Sequence, residues 1–505
     1  MLRTEGASPA NRISSGFARG TLLVLAGQAS FVICGYLLHF FLSRTLDPAT
    51  FGTYGVILTV LTWSESVLET GVPWAVRKFL PADPEASESI VKAGLRLQMT
   101  LAALLWVAAT LAAPLLTAAM RDAGLTFGLR LALADIVLMA LYTFYRAVLN
   151  ARKQFALQGA SMAAYAVSKL VSTVLLVLLG YALGGALVGN ILGSFLGWLA
   201  ALWLVRRGGK SLAGVQPSDS LRARPYSGRI ILGFALPTVV FTLASTFLTS
   251  IGLVVVKALV SDGAQVGYYA AAAYLASAPN LLLVAFSWTL FPHLAACIAA
   301  HDEPSARAYL RLGLRYLSLA LIPGTLLVLG TSSRLIPIIY PNSYAVAAPL
   351  LNWLMLSTAL YSIFIVFANA IVAEGRVLLA MSIPGTLVPV ALAASWYLTR
   401  QVGAAGAAYG TVLTTLLAAL ASGAYVLRRF RVQLDWASLA RASVAGAALY
   451  ALTRIVSAHG VWLLAYYLAL GAVYLSVLCL LGEFRMQDAR RAWAGMAAAL
   501  HRRGK

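Results

Sequence analysis

Apolar residues in this chain come in long, nearly unbroken runs, separated by short clusters of charges and turn residues. Cutting at those clusters leaves about fourteen stretches, each near the ~20 residues a helix needs to cross the hydrocarbon core of a bilayer. The predicted helices cover 17–42, 52–72, 93–118, 126–149, 157–180, 183–205, 229–257, 266–298, 310–330, 346–372, 377–398, 403–427, 437–457 and 461–482. The pattern predicts an all-α integral membrane protein with about 14 transmembrane helices.

Composition narrows this mainly by exclusion. Hydrophobic residues make up 61% of the 505, charged residues only 11%, and the mean hydropathy is +0.83, far outside the soluble range. The longest interval between apolar stretches, Arg206 to Gly228, is too short to bury a core of its own, so any chemistry must sit among the helices. The basic start (Arg3, Arg12, Arg19) followed by apolar residues from Thr21 to Leu42 is too long for a signal-peptide core and reads as a first membrane helix. Cys34, Cys297 and Cys479 lie in or at the ends of apolar stretches with no paired spacing, so neither a disulfide framework nor a metal site is expected.

Lys and Arg set the orientation, because short cytoplasmic loops carry their excess. The loops on the N-terminal side hold Arg77, Lys78, Lys92, Arg146, Arg152, Lys153, Arg206, Arg207, Lys210, Arg222, Arg224 and Arg229, then Arg307, Arg311, Arg376, Arg428, Arg429 and Arg431. The opposite loops offer little beyond Arg44, Arg121, Lys257, Arg334 and Arg400. Both termini are therefore expected in the cytoplasm. The net charge of +21 reads as a basic membrane face beside anionic lipid, with no nucleic-acid partner. Residues 485–505 add a basic amphipathic stretch, with Trp493, Met496 and Leu500 set against arginines, expected to lie on the cytoplasmic leaflet.

An internal repeat organises the chain. LDPATFGTYG at 46–55 aligns with SDGAQVGYYA at 261–270, so that Asp47, Gly52 and Tyr54 match Asp262, Gly267 and Tyr269 at an offset of 215. LGGALVGN at 183–190 matches AAGAAYGT at 404–411 at an offset of 221, and VLNAR at 148–152 parallels VAEGR at 372–376. Six helices per copy is an even number, so the two copies share one orientation, as in parallel-repeat transporters whose halves rock about a common cavity. The expected division is a cytoplasmic N-terminus (1–16), a first six-helix bundle (17–207), a cytoplasmic linker (208–228), a second six-helix bundle (229–429), an added helix pair (430–484) and the basic tail (485–505).

The stretch FFLSRTLDPATFGTYGVILTVLTWSESVLETGVPWAVRKFL at 40–80 resembles the opening of polysaccharide-transport proteins: a helix ending in Ser-Arg-x-Leu, an acidic-Pro turn, Phe-Gly-x-Tyr, then a helix reaching a Gly and an Arg. The family is the polysaccharide branch (O-antigen and exopolysaccharide flippases) of the multidrug/oligosaccharidyl-lipid/polysaccharide exporter superfamily. The resemblance covers the first twelve helices and rests on structural turns, so it specifies fold more than cargo. It implies a flippase in the bacterial inner membrane that moves polyprenyl-diphosphate-linked oligosaccharide from the cytoplasmic to the periplasmic leaflet by alternating access, for exopolysaccharide, capsule or lipopolysaccharide O-antigen synthesis. Polysaccharide polymerase and other assembly proteins are the partners it implies.

Ionisable groups inside the membrane are costly unless paired or facing a cavity, so they are the candidate site. A diphosphate headgroup asks for cations, and Arg19, His39, Arg77, Lys78, Lys169, Lys257 and His293 are the candidates; they lie on helices one, two, five, seven and eight, and one, two, seven and eight face the cavity in this superfamily. Glu65 and Glu69, one helical turn apart, are candidates for ion coupling by a mutually repelling pair. Asp135 is expected to pair with Lys169 as structural glue, Pro73 to kink the second helix, and Pro384–Gly385 with Pro389 to make the eleventh the most bent. No phosphate-binding glycine loop, nucleophile elbow or metal-spaced cluster is present in the sequence, so neither an enzyme nor a cofactor is expected. The competing readings are a lipid II-type or multidrug exporter of the same superfamily and, from another class, a membrane glycan polymerase or ligase.

Overall fold

The computed structural model describes residues 9–83, 85–208, 228–455 and 462–483; the N-terminal eight residues, most of the 208–228 linker and the amphipathic tail lie outside the described residues. The described residues are helical throughout and contain no strand. We number the helices α1 (Pro9–Thr45), α2 (Pro48–Thr70, continued as Val72–Ala82), α3 (Ser87–Ala119), α4 (Leu125–Leu133 and Asp135–Ala151), α5 (Phe155–Leu176), α6 (Ala182–Arg207) and α7 (Gly228–Leu259). The series continues with α8 (Gly263–Ala276 and Asn280–Ala299), α9 (Glu303–Ile339), α10 (Ala348–Ala373), α11 (Val377–Val402), α12 (Ala404–Arg429), α13 (Trp436–Ile455) and α14 (Trp462–Leu480). Nine helical stretches among the described residues, α5 and α6 taken as one, are long and apolar enough to cross a bilayer. Large apolar side chains point outward along them, Leu111 and Leu115 on α3 at 71% and 75% exposure, which is the inside-out pattern of a surface facing lipid. This is a multi-pass membrane protein.

The helices break where the backbone, more than proline count, dictates. α2 is interrupted at Gly71, two residues ahead of the expected Pro73, which sits in the first turn of the continuation where its missing N–H costs nothing. α4 is interrupted at Ala134, with no Gly or Pro to announce it, and α5 ends in a wide turn (Val177–Tyr181) where Gly180 adopts φ +93°. α11, expected to be the most bent, runs uninterrupted past Pro384 and Pro389, so each proline removes a hydrogen bond without ending the helix.

The chain forms two compact units, one of Met1–Ala270 with Pro384–Ala407 and the other of Ala271–Ile383 with Ala408–Lys505. In the first unit helices approach through glycine. A Cβ at Gly52 would stand 2.4 Å from Gly267 N, and one at Gly267 would stand 2.0 Å from Pro48 O. The two residues matched by the sequence repeat thus pack on each other. Asp47 and Asp262 each cap the helix that follows, accepting from Thr50 N (3.0 Å) and Ala264 N (3.0 Å), and Tyr54 and Tyr269 are both fully buried. Further along α2, against α7, Trp63 Nε1 donates to Ser250 Oγ (2.8 Å) and its ring stacks on Phe247 (4.2 Å). Gln98 of α3 is fully buried and ties α2 to α4, donating to Leu68 O (3.0 Å) and Ala140 O (3.3 Å).

The turns that end α4 and α10 are also equivalent, at an offset of 222. Lys153 N and Gln154 N donate to Asn150 O and Leu149 O, as Gly375 N and Arg376 N donate to Val372 O and Ile371 O. The backbone match is two residues shorter than the offset between VLNAR and VAEGR. In the second unit, Leu310, Leu314 and Leu317 of α9 join Phe367, Ile371 and Val426 in one core, and Leu319 joins Ala445, Leu449 and Tyr474 of α13 and α14 in another.

Candidate functional site

A ladder of polar and charged side chains runs through the first unit on α2, α4, α5 and α6. On α4, Asp135, Tyr142 and Arg146 are seven and four residues apart and share one face, spanning about 16 Å of helix. Asp135 is fully buried and accepts from Asn190 Nδ2 of α6 at 2.7 Å. The ring of Tyr142 stacks on Tyr165 of α5 at 4.5 Å, and the Arg146 guanidinium stands 5.5 Å from the centre of the Tyr142 ring. Arg146 in turn donates to Glu69 of α2 in a close ion pair. Lys169, one turn beyond Tyr165 on α5, reaches the Tyr165 hydroxyl at 3.5 Å and interacts electrostatically with both Glu65 and Asp135.

Close packing of α5 on α6 holds this ladder in register. Gly185, Gly189, Gly193 and Gly197 recur every fourth residue on α6. A Cβ at Gly189, Gly193 or Gly197 would stand 2.4, 2.5 or 2.6 Å from Thr173, Lys169 or Tyr165. The small-residue stripe lets the backbones touch, and Ser172 Oγ donates across to Gly189 O (2.7 Å). Lys169 and Tyr165 are thereby fixed by backbone contact, where sequence alone would leave two flexible side chains.

The expected residues divide. Glu65, Glu69, Arg77 and Lys169 belong to the ladder, and His39 of α1 adjoins it, with Nδ1 2.8 Å from Gly35 O and Lys169 within electrostatic reach. Lys78 points away from Arg77, to an exposed position with its ammonium 5.5 Å from the Phe79 ring, because neighbours on a helix diverge by about 100°. Lys257 is at the far end of α7, bonded to Asp122 in the turn before α4 at 2.7 Å. That bond, the largest influence on it, holds the Asp122 carboxyl below its ordinary value. His293 is exposed in the second unit, stacked on Tyr309 at 5.5 Å. The backbone of Arg19 belongs to α1 and its side chain lies outside the described residues.

Two expectations are corrected. Glu65 and Glu69 are not equivalent members of a repelling pair, since Arg146 neutralises Glu69, whereas Glu65 Oε1 is buried without a hydrogen-bond partner among the described residues. The glue at Asp135 is Asn190; Lys169 forms no ion pair among the described residues. Arg77 likewise has no ion pair there, and its Nε is buried without a partner, with Glu69 and Arg146 in electrostatic reach. The sequence reading overlooked Arg146, counted as a loop cation, and Asn190, seen only as part of a repeat. Spacing from Asp135 would have found the first.

Among the described residues the α4–α6 contact of the ladder has an uncharged counterpart in the second unit. Ser357 and Thr411, at offsets of 222 and 221 from Asp135 and Asn190, make the equivalent contact with neutral groups, Ser357 Oγ donating to Thr411 O at 3.5 Å. The fold repeats and the charge does not.

A family model described as polysaccharide biosynthesis protein matches residues 17–297, more than half of the chain. The chain belongs to that family. Its fold is shared with solved structures of the MOP superfamily. With the lipid II flippase MurJ in an inward closed conformation it is 14% identical at a TM-score of 0.71, over 91% of this chain and 98% of that one. An inward-facing MATE family multidrug resistance transporter aligns at 12% identity and a TM-score of 0.66, over 78% and 94%. A MOP superfamily transporter from Pyrococcus furiosus aligns at 14% and 0.60, over 82% and 95%. No curated protein matches the chain. Membership of the polysaccharide biosynthesis family agrees with the resemblance at 40–80, and these likenesses show that the chain shares the fold of those transporters.

Proposed function

We propose that this protein is a flippase that carries polyprenyl-diphosphate-linked oligosaccharide repeat units from the cytoplasmic to the periplasmic leaflet of a bacterial inner membrane, by alternating access, with both termini cytoplasmic. Supporting this are the polysaccharide biosynthesis family match and the MOP-superfamily fold. The observation that carries the reading at the level of residues is the ladder of α2, α4, α5 and α6. It keeps two cationic side chains, Arg77 and Lys169, inside a membrane bundle with no ion pair among the described residues. Such charges cost several kcal/mol unless something anionic visits them, and a lipid diphosphate is a dianion of the right kind. Glu65, whose Oε1 has no hydrogen-bond partner among the described residues, is the group we assign to ion coupling. The ladder holds no nucleophile–base pair, and the named structural relatives are transporters, so transport without a catalytic step is the simplest reading.

A second reading shares the chemistry. The likeness to the lipid II flippase supports a lipid-linked cargo of the peptidoglycan type as the second reading. Deleting the gene in its own host and following lipid-linked oligosaccharide separates these. The flippase predicts loss of surface polysaccharide with lipid-linked units trapped on the cytoplasmic leaflet. It also predicts that Arg77→Gln and Lys169→Gln, expressed at normal level, fail to restore export. Lipid-linked units that reach the periplasmic leaflet and stay unpolymerised would instead identify a polymerase or ligase.

A further inference from the structure

The second unit carries a cationic cleft that the transport reading does not use. At the end of the unit bearing Arg376, Arg428 and Arg429, α9 presents Arg311 and Arg315 one turn apart on one face, and α13 presents Ser438 and Arg441 opposite them. Between them lies a small open cleft lined by Arg311, Arg315, Ser318, Asp435 and Ser438 together with four leucines. Arg315 donates from Nε to Glu483 Oε1 (2.6 Å) and from a terminal nitrogen to Glu483 O (2.9 Å); Arg441 bonds the other carboxylate oxygen at 3.0 Å, and Ser438 Oγ also donates to Glu483. Glu483 is fully buried by this clasp. Among the described residues Arg311 is held only by Asp435, at 3.1 Å, and keeps 52% of its side chain exposed.

The cleft is not neutralised by its own walls. Two guanidiniums line it against one carboxylate; with the Glu483 clasp behind, three face two, and of the roughly fifteen N–H donors on three such forks four are engaged among the described residues. Its surroundings are those of a membrane interface: Leu312 and Tyr316, each one residue beyond a cleft arginine, and Trp436, next to Asp435, are exposed large apolar side chains. An anion that fits has oxygens for planar forks and an apolar body to lie along α9 and α13.

We propose that this cleft binds the phosphate of an anionic phospholipid, its acyl chains lying over Leu312 and Tyr316. Phosphate oxygens take the free donors of Arg311 and Arg315, with Ser318 Oγ available as a neutral donor, while Glu483, shared with Arg441, holds Arg315 in place from behind. A zwitterionic phosphatidylcholine brings its own cation into an already cationic cleft and is discriminated against. The lipid would staple α9 to α13 and so stabilise the packing that carries α14.

The test uses the full-length protein in detergent micelles doped equally with phosphatidylglycerol and phosphatidylcholine, with bound lipid counted by native mass spectrometry. The expected result is retention of phosphatidylglycerol over phosphatidylcholine, reduced about tenfold by Arg311→Gln, a change that removes one charge-assisted contact. Arg311→Lys should retain part of the preference, and Arg400→Gln, in the first unit, should leave it unchanged. Arg311→Gln breaks only the Asp435 pair, so an unaltered helical spectrum checks that the fold survives. Equal retention of the two lipids, or equal loss in Arg311→Gln and Arg400→Gln, overturns the proposal. Displacement of phosphatidylglycerol by millimolar inorganic phosphate that itself stays bound would make this a free-phosphate site and overturn the lipid assignment.

Discussion

The charges in this molecule are placed by helical geometry as much as by type. Glu65, Glu69, Arg77 and Lys169 were legible in the sequence as membrane-embedded ionisable groups, because a charge within an apolar run is conspicuous. What pairs with what was not legible, since partners come from other helices: Arg146 reached Glu69, and Asn190 displaced Lys169 as the partner of Asp135. Lys78, beside Arg77 in the chain, is separated from it by the helical turn, and Lys257 is spent on Asp122. The Glu69–Arg146 pair should therefore behave as a coupled unit. Neutralising either partner alone, Glu69→Gln or Arg146→Gln, leaves an unpaired charge and should lower stability in detergent by about 1–3 kcal/mol. The double variant should lose less than the sum, because neither charge is then stranded. Strict additivity in thermal unfolding would show that the pair contributes nothing.

Helices rather than residues explain why the ladder is in register. Fourteen elements were legible from apolar runs, most to within several residues, because a spanning helix must bond its own backbone and cannot be much shorter than the membrane. Breaks were less legible. Pro73 pointed near the Gly71 interruption, nothing pointed to Ala134, and two prolines on α11 failed to end it, because whether a helix breaks depends on what its neighbours supply to the freed carbonyls. The sequence repeat identified Gly52 and Gly267 as equivalent, but only the fold shows them in contact. The α6 glycine stripe was visible only in part, as the repeat motif around Gly185 and Gly189. Gly193→Val tests its role: the new side chain meets the Lys169 backbone, and overpacking of this kind costs typically about 1–3 kcal/mol. Loss of thermal stability together with loss of polysaccharide export is expected, whereas Gly233→Val, with open space around it, should be silent in both.

At the scale of the whole molecule, a duplicated fold carries unduplicated chemistry. Asp135 and Asn190 recur as Ser357 and Thr411, so the second copy keeps the contact and drops the charge. In its place the second unit gathers arginines at one end, around Glu483 and Asp435. Fold and family were open to sequence reading because apolar periodicity and turn motifs specify them. Cargo was not, because recognition of the proposed lipid diphosphate would need only a few cations whose positions depend on packing. The central claim is transbilayer movement of such a cargo, and the most direct measurement is made on the purified protein reconstituted into liposomes with a polyprenyl-diphosphate oligosaccharide. The fraction of glycan accessible to an external glycosidase is followed with time. The account predicts that the initially protected half becomes accessible in protein-containing liposomes and remains protected with Lys169→Gln; protection equal to that of protein-free liposomes would contradict it.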